Sequence, residues 1–242
     1  MVQPTYQEQI AERDVLLKKI QELEEENSKL RERLGEEPSR KNNPSAMTSL
    51  SLQEKVELFC SLFKGREDVF ARRWHNITTG KAGYQPVCEN EWNPQLCDKK
   101  KQKCSECSNR QFSPLSYDDF FRHLSGKDEY GRDVIGIYTI LDDNTCHFLC
   151  ADFDDKNCEH GYQNDVLAYV SVCDDWNIPC SIERSRSGKG AHVWIFFDSP
   201  VAAVKARKLG NAILTEAMNR NGRITFKSYD RFFPNQDYLP EG

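Results

Sequence analysis

The hexapeptide Cys150-Ala151-Asp152-Phe153-Asp154-Asp155 closes an apolar run that begins near Thr145. On a strand, residues two apart share a face, so Asp152 and Asp154 project together while Ala151 and Phe153 turn to the other side. Two carboxylates held side by side repel each other unless a cation sits between them, and an oxygen-only pair suits a hard ion such as Mg²⁺ or Mn²⁺. Asp-rich strand ends are also common turn material. Taken alone, the pair fits the polar end of an edge strand at least as well.

A second stretch, Ser185-Arg186-Ser187-Gly188-Lys189-Gly190-Ala191-His192, runs straight into the strand-like Val193-Trp194-Ile195-Phe196-Phe197. Two glycines around a lysine let backbone amides approach a phosphate, and Ser187, Lys189 and His192 add donors. It is not a P-loop, because it precedes a strand and lacks the Gly-x-x-x-x-Gly-Lys spacing. A Gly-rich hairpin turn with an incidental lysine is the competing reading. A third stretch, Ile224 to Asp237, reads as a strand with the acid Asp230 and the base Arg231 near its end. A fourth is Cys88, Cys97, Cys104 and Cys107 in a polar, Pro-containing segment without a core of its own. The two-residue gap between Cys104 and Cys107 lets both thiolates reach one tetrahedral ion, so a structural Zn²⁺ held by four thiolates is expected, with no open position for chemistry. His123 is a substitute ligand only in principle, because its helical run, Tyr117 to Leu124, favours packing.

These residues need elements to carry them. Ile135 to Ile140 and Thr145 to Phe153 read as two strands joined by Leu141-Asp142-Asp143-Asn144, which is hairpin chemistry. A helix is expected over Gln163 to Asn177, with Val166, Leu167, Val170 and Cys173 inward. A strand follows over Ile178 to Glu183, then a long helix over Pro200 to Asn219 with Val204, Leu209, Ile213 and Met218 apolar. This order predicts an α+β sheet with helices on one face. The ends of three of its strands could bring Asp152 and Asp154, His192, and Asp230 together. Upstream, Ser51 to Phe63 has a helical pattern, and Asp68 to Trp74 reads as a second short helix.

Further upstream, Tyr6, Arg13, Ile20, Asn27 and Leu34 occupy one heptad position, and Leu16, Leu23 and Leu30 occupy the other. Residues 6–34 are therefore expected to form a parallel two-stranded coiled coil and make the protein a homodimer. A helix docked on its own domain is the competing arrangement. Gly35 to Ser51, with Pro38 and Pro44, reads as a flexible linker.

Composition narrows the class. The 242 residues are 38% hydrophobic, enough for one core with appendages, and the formal net charge of −5 excludes a wholesale polyanion binder. Residues 1–37 hold ten acids against six bases, so the remainder is close to neutral. It still carries Lys189, Lys205, Arg207, Lys208, Arg220, Arg223, Lys227 and Arg231 late in the chain, material for a basic groove. With no signal peptide or apolar span, a cytoplasmic location and no membrane partner are expected. The ten cysteines then read as thiols and metal ligands, not as a disulfide framework.

Asp152-Phe153-Asp154, Ser187-Gly188-Lys189-Gly190-Ala191-His192 and Tyr229-Asp230-Arg231-Phe232-Phe233-Pro234-Asn235-Gln236-Asp237 together resemble the three motifs of the archaeo-eukaryotic primase superfamily. They are most similar to the primase-polymerases of TOTE conflict systems and their CRISPR-associated relatives. The cysteine segment, followed by Arg110-Gln111-Phe112 and His123-Leu124-Ser125-Gly126, is similar to the zinc-binding region preceding the palm in that group. The resemblance covers residues 55–240 and leaves the coiled coil outside. It implies an RRM-like palm that performs template-directed nucleotidyl transfer with two Mg²⁺ or Mn²⁺ ions, using nucleoside triphosphates and a nucleic-acid template and primer. Asp152, Asp154 and Asp230 would hold the catalytic metals; Ser187, Lys189, His192 and Arg231 would bind the nucleotide. Asp237, seven residues on, competes with Asp230 as the third ligand.

The organisation implied is a coiled-coil helix over 1–36, a linker over 37–50, a helical and zinc-binding region over 51–130 and a palm over 131–242. Relatives continue past the point where this sequence stops, into further palm strands and often a helicase or nuclease module, so an N-terminal piece is expected. Two other classes stay open: a non-catalytic zinc-containing nucleic-acid-binding module, and a metal-dependent nuclease.

Overall fold

The computed structural model describes Lys18, Lys19, Glu22 and residues 50–155, 161–220 and 227–239. The chain divides into two units, Met1–Leu50 and Ser51–Gly242. In the first, Lys18, Lys19 and Glu22 are helical and exposed, and Lys19 Nζ lies 3.3 Å from Glu22 Oε2. The rest of the predicted coiled coil, and its linker as far as residue 49, fall outside the described residues.

The second unit runs α1 (Leu52–Leu62), β1 (Phe70–His75), β2 (Ala82–Pro86), a 3₁₀ turn at Cys104–Glu106, α2 (Tyr117–Ser125), β3 (Ile135–Ile137), β4 (Thr145–Asp154), α3 (Gln163–Asp175), β5 (Ser181–Arg184), β6 (Gly190–Ala202), α4 (Ala203–Arg220) and β7 (Tyr229–Phe233). From β4 onward the order is β-α-β-β-α-β. The four strands form one antiparallel sheet in the order β5-β6-β4-β7. This is the split βαβ arrangement: each helix carries the chain over one intervening strand, so every neighbouring pair is antiparallel.

Alternation along the strands sorts the side chains. Leu149, Ala151 and Phe153 of β4, Val193 and Ile195 of β6 and Phe232 of β7 meet Val166, Tyr169 and Val172 of α3 and Ala206, Ile213 and Leu214 of α4 in one core. Each large apolar side chain buried here contributes about 1.5–3 kcal/mol. The opposite face of the sheet carries Phe148, Cys150, Asp152, His192 and Trp194. Phe63, just past α1, covers its apolar end, with its ring 4.9 Å from Trp194 and 5.9 Å from Phe148 in edge-on contacts. Helix α1 starts at a capping box in which Ser51 Oγ accepts from Glu54 N and Glu54 Oε2 accepts from Ser51 N. A second, three-stranded sheet, β2-β1-β3, lies beside this layer. Arg72 of β1 is tied to it through the buried Asp119 of α2, at 2.9 Å.

Several expected elements differ. Asp68 to Trp74 is not a helix: Phe70–His75 is β1, flanked by β2 and β3. The predicted hairpin does not form either. The turn is present, with Leu141 N donating to Thr145 O, but Ile135–Ile137 leaves it to pair with Phe70–Arg72. Residues 51–130 therefore contain two strands as well as helices. Leu167 and Met218 point outward, 61% and 46% exposed, because the inward stripes of α3 and α4 are carried by Val166, Tyr169 and Val172 and by Ala206, Ile213 and Ala217. The strand predicted over 178–183 is Ser181–Arg184, and β6 continues to Ala202, displacing the start of the last helix. No helix among the described residues is long and apolar enough to cross a membrane.

One buried polar contact sets where β7 begins. Asp165, near the start of α3, accepts from Ser228 Oγ at 2.5 Å and from Ser228 N at 3.3 Å, and both residues are buried. Asp165→Ala leaves the Ser228 donors unpaired, and a loss of about 1–3 kcal/mol is expected in urea unfolding; no loss would show that the pair does not anchor the strand.

Candidate functional site

At the polar end of the sheet, Asp152 of β4 pairs directly with His192 of β6 on one side and with Arg231 of β7 on the other. Directly opposed residues share a face, so a carboxylate, an imidazole and a guanidinium meet in one row across three strands. His192 Nε2 lies 3.4 Å from Asp152 Oδ1. Asp154, two residues along β4, is on the same side of the strand, and its backbone N–H donates to Ser228 O at 2.7 Å. The register of β4 against β7 shifts by one between Asp152 and Phe153, and Asp230 is the extra residue at that bulge. Arg231 Nε donates to Asp230 Oδ2 at 2.8 Å, and the guanidinium also feels the charges of Asp152 and Asp154. The three predicted acids are thus gathered around one cationic side chain.

Asp237 is elsewhere. Its Oδ1 accepts from Arg207 Nε of α4 at 2.6 Å, while Arg207 also donates to Pro234 O. The acid after the strand is engaged by the helix layer, and Asp230 is the one that stands with Asp152 and Asp154.

The glycine-bearing stretch is the turn of the β5–β6 hairpin. Ser185 N donates to Gly190 O, Gly188 N donates to Ser185 O, and Gly188 has φ +71°, where a side chain would be strained. Gly190 lies against β4: a Cβ there would come within 2.4 Å of Phe153 O. Ser187 Oγ accepts from Lys189 N at 3.2 Å, bracing the turn, and the Lys189 side chain is exposed beside the site.

One side chain outside the predicted set belongs to this row. Glu183 of β5 pairs with His192, and its Oε2 lies 3.2 Å from His192 Nδ1 and accepts from Trp194 Nε1 at 2.8 Å. The signal for it was the hairpin itself: a turn closed between Ser185 and Gly190 puts Arg184 opposite Ala191 and Glu183 opposite His192. Behind the row, a cleft of about 730 Å³ is lined by Phe63, Phe120, Tyr138, Phe148, Trp194 and Phe233, with His192 and Glu183 at its edge. His123 lies in this cleft, where burial lowers its basicity.

Cys88, Cys97, Cys104 and Cys107 all line one separate, small cavity of about 30 Å³. Gln111 N donates to Cys88 Sγ at 3.3 Å. Among the described residues, no three His, Cys, Asp or Glu side chains are already drawn together as a ready-made metal site. Of the thiols on the sheet, burial pushes Cys146 up to about 11, and Cys150, two residues before Asp152, is raised as well.

Hydrogen bonds to Asp152 and then to Glu183 raise the His192 pKa from 6.5 to about 9, overcoming desolvation. The ring is therefore an imidazolium at neutral pH, a cation beside the acids. Because the folded value lies above the unfolded one, the stabilisation is fully present below about pH 6.5 and disappears as pH rises through about 9. A ring titration followed by NMR in EDTA should have its midpoint near 9; a midpoint near 6.5 would mean that the two carboxylates do not grip the ring in solution.

Residues 54–242 match the family model described as TOTE conflict system, Archaeo-Eukaryotic Primase domain. No curated protein matches the chain. The matched span takes in the whole split βαβ sheet together with the three acids, His192 and the cysteine cavity. The chain belongs to the archaeo-eukaryotic primase family of TOTE conflict systems.

Proposed function

We propose that this protein is a template-directed primase-polymerase that joins nucleotides from nucleoside triphosphates at the row containing Asp152. The observation that carries the reading is the cross-strand meeting of Asp152, His192 and Arg231, with Asp230 at the bulge beside them. Acids gathered on one side of a cationic row are what a metal-assisted phosphoryl transfer needs, because the acids hold cations and the cations meet phosphate.

Asp152, Asp154 and Asp230 would suit a pair of Mg²⁺ or Mn²⁺ ions: all are oxygen donors, and the cations beside them now are the half-exposed Arg231 guanidinium and the His192 ring. When bound, such ions lower the pKa of an attacking 3′-hydroxyl and neutralise a departing pyrophosphate. The chain's own residues supply the rest. The His192 imidazolium lies between Asp152 and Glu183, and its Nε2–H would turn from Asp152 to donate to a phosphate oxygen. Lys189 and the Ser187 hydroxyl stand on the adjacent turn, within reach of the same triphosphate. Arg231, now held on Asp230 Oδ2, would be free to meet phosphate if a cation took its place on that carboxylate. The apolar cleft behind the row offers aromatic surface of the kind on which bases stack.

Primer extension with dNTPs or NTPs and Mn²⁺ tests this. Asp152→Ala with Asp154→Ala is expected to reduce extension below detection while circular dichroism shows the protein still folded. Undiminished synthesis by that double variant would overturn the assignment; primer degradation in place of extension would make the protein a nuclease, and neither would leave a nucleic-acid-binding module.

For the cysteine cavity we propose a structural Zn²⁺. Four thiols line one small cavity and a backbone N–H is aimed at Cys88 Sγ, so a modest closing of the four side chains would make a closed thiolate site. Plasma mass spectrometry of the purified protein should find one zinc per chain, lost on Cys104→Ser with Cys107→Ser together with a lower thermal midpoint. A metal-free wild type of unchanged stability would remove the zinc from this reading.

A further inference from the structure

We propose that Glu183 is a positioning residue that fixes the His192 imidazole for the triphosphate of the incoming nucleotide. The proposal rests on the nucleotide-binding role given to His192 above. One carboxylate oxygen, Oε2, takes both contacts: His192 Nδ1 at 3.2 Å and Trp194 Nε1 at 2.8 Å. The indole is itself clamped. It lies parallel to Phe196 at 6.2 Å, edge-on to Phe63 at 4.9 Å and against Phe148 at 5.5 Å. The aromatic cluster therefore holds Trp194, Trp194 orients the Glu183 carboxylate, and the carboxylate sets the plane of the His192 ring.

That chain of contacts answers a need that Asp152 cannot meet. Asp152 holds Nε2, the nitrogen that must turn to phosphate, so a ring held there alone would lose its orientation on engaging the nucleotide. Glu183 holds the other nitrogen and leaves Nε2 directed at the site. A partner behind a working imidazole fixes its ring orientation and tautomer, and removing such a partner typically costs about 10–100-fold. Glu183 sits on the edge strand β5 with its side chain half exposed, so its loss leaves the core intact.

Because both donors meet one oxygen, Glu183→Gln keeps an acceptor in the same place and Glu183→Ala removes it. Steady-state extension should show KM for the nucleotide raised about tenfold in Glu183→Ala, with kcat changed far less, and most of that loss recovered in Glu183→Gln. His192→Ala and the double variant with Glu183→Ala should be equal, since the two side chains act as one unit. The indole N–H resonance of Trp194, assigned with Trp194→Phe, should move in Glu183→Ala. A wild type that binds and uses nucleotide while Glu183→Ala matches it would overturn the role of Glu183 alone. Independent, multiplying effects of the two residues, or a Glu183→Gln variant as impaired as Glu183→Ala, would do the same. A wild type that binds no triphosphate would take both readings down.

Discussion

The register of β4 between β6 and β7 is the constraint on which the rest depends. Strand side chains alternate, so a one-residue slip would send Asp152 and Asp154 into the helix-covered core and bring Ala151 and Phe153 to the open face. Phe153, fully buried and paired across the sheet with Ala191 and Tyr229, resists that slip from one side of the strand. Gly190 resists it from the other, since only a residue without a side chain fits against Phe153 O. The Asp165–Ser228 contact then sets the start of β7, so the acid of the third strand arrives beside the first two. Packing and chemistry are two faces of the same ladder.

The two faces of the sheet divide the labour. Toward α3 and α4 the face is almost wholly apolar, with Asp165 and Ser228 paired to each other, and this side supplies stability. The opposite face grades from aromatic at Phe148, Trp194 and Phe196 to charged at Asp152, His192 and Arg231. The charged end is affordable because each group meets its opposite: the imidazole lies between two carboxylates, and the guanidinium is against a third. Four carboxylates, Asp152, Asp154, Asp230 and Glu183, stand against two cations, His192 and Arg231, so the arrangement stays net negative and suits an added cation.

Much of this was legible in the order of residues, and the exceptions have physical causes. Asp152 and Asp154 stood out because a period of two survives in a strand whose neighbours are apolar. His192 stood out because a glycine-rich turn leads into its strand. Glu183 was missed because its meaning lies in a cross-strand partner, which only the register of the Ser185–Gly190 turn places opposite it. Phe70, Arg73 and Trp74 are spaced as a helix would space them, yet six residues are too few to separate the two periods, and pairing with β2 and β3 decided for a strand. Leu141–Asn144 makes the turn its composition promises, but a turn does not dictate what the preceding strand pairs with. That Asp237 is engaged elsewhere could not be read from its own stretch, because its partner Arg207 lies on a helix some thirty residues earlier in the chain.

The irregularity in β7 has an evolutionary side. Removing one residue there would let the two strands run in even step and complete a ladder that is now interrupted, which any selection for stability alone would favour. The repaired sheet would be sounder and would have mislaid an acid. In this chain the extra residue is what sets Asp230 beside Arg231 at the charged end of the sheet.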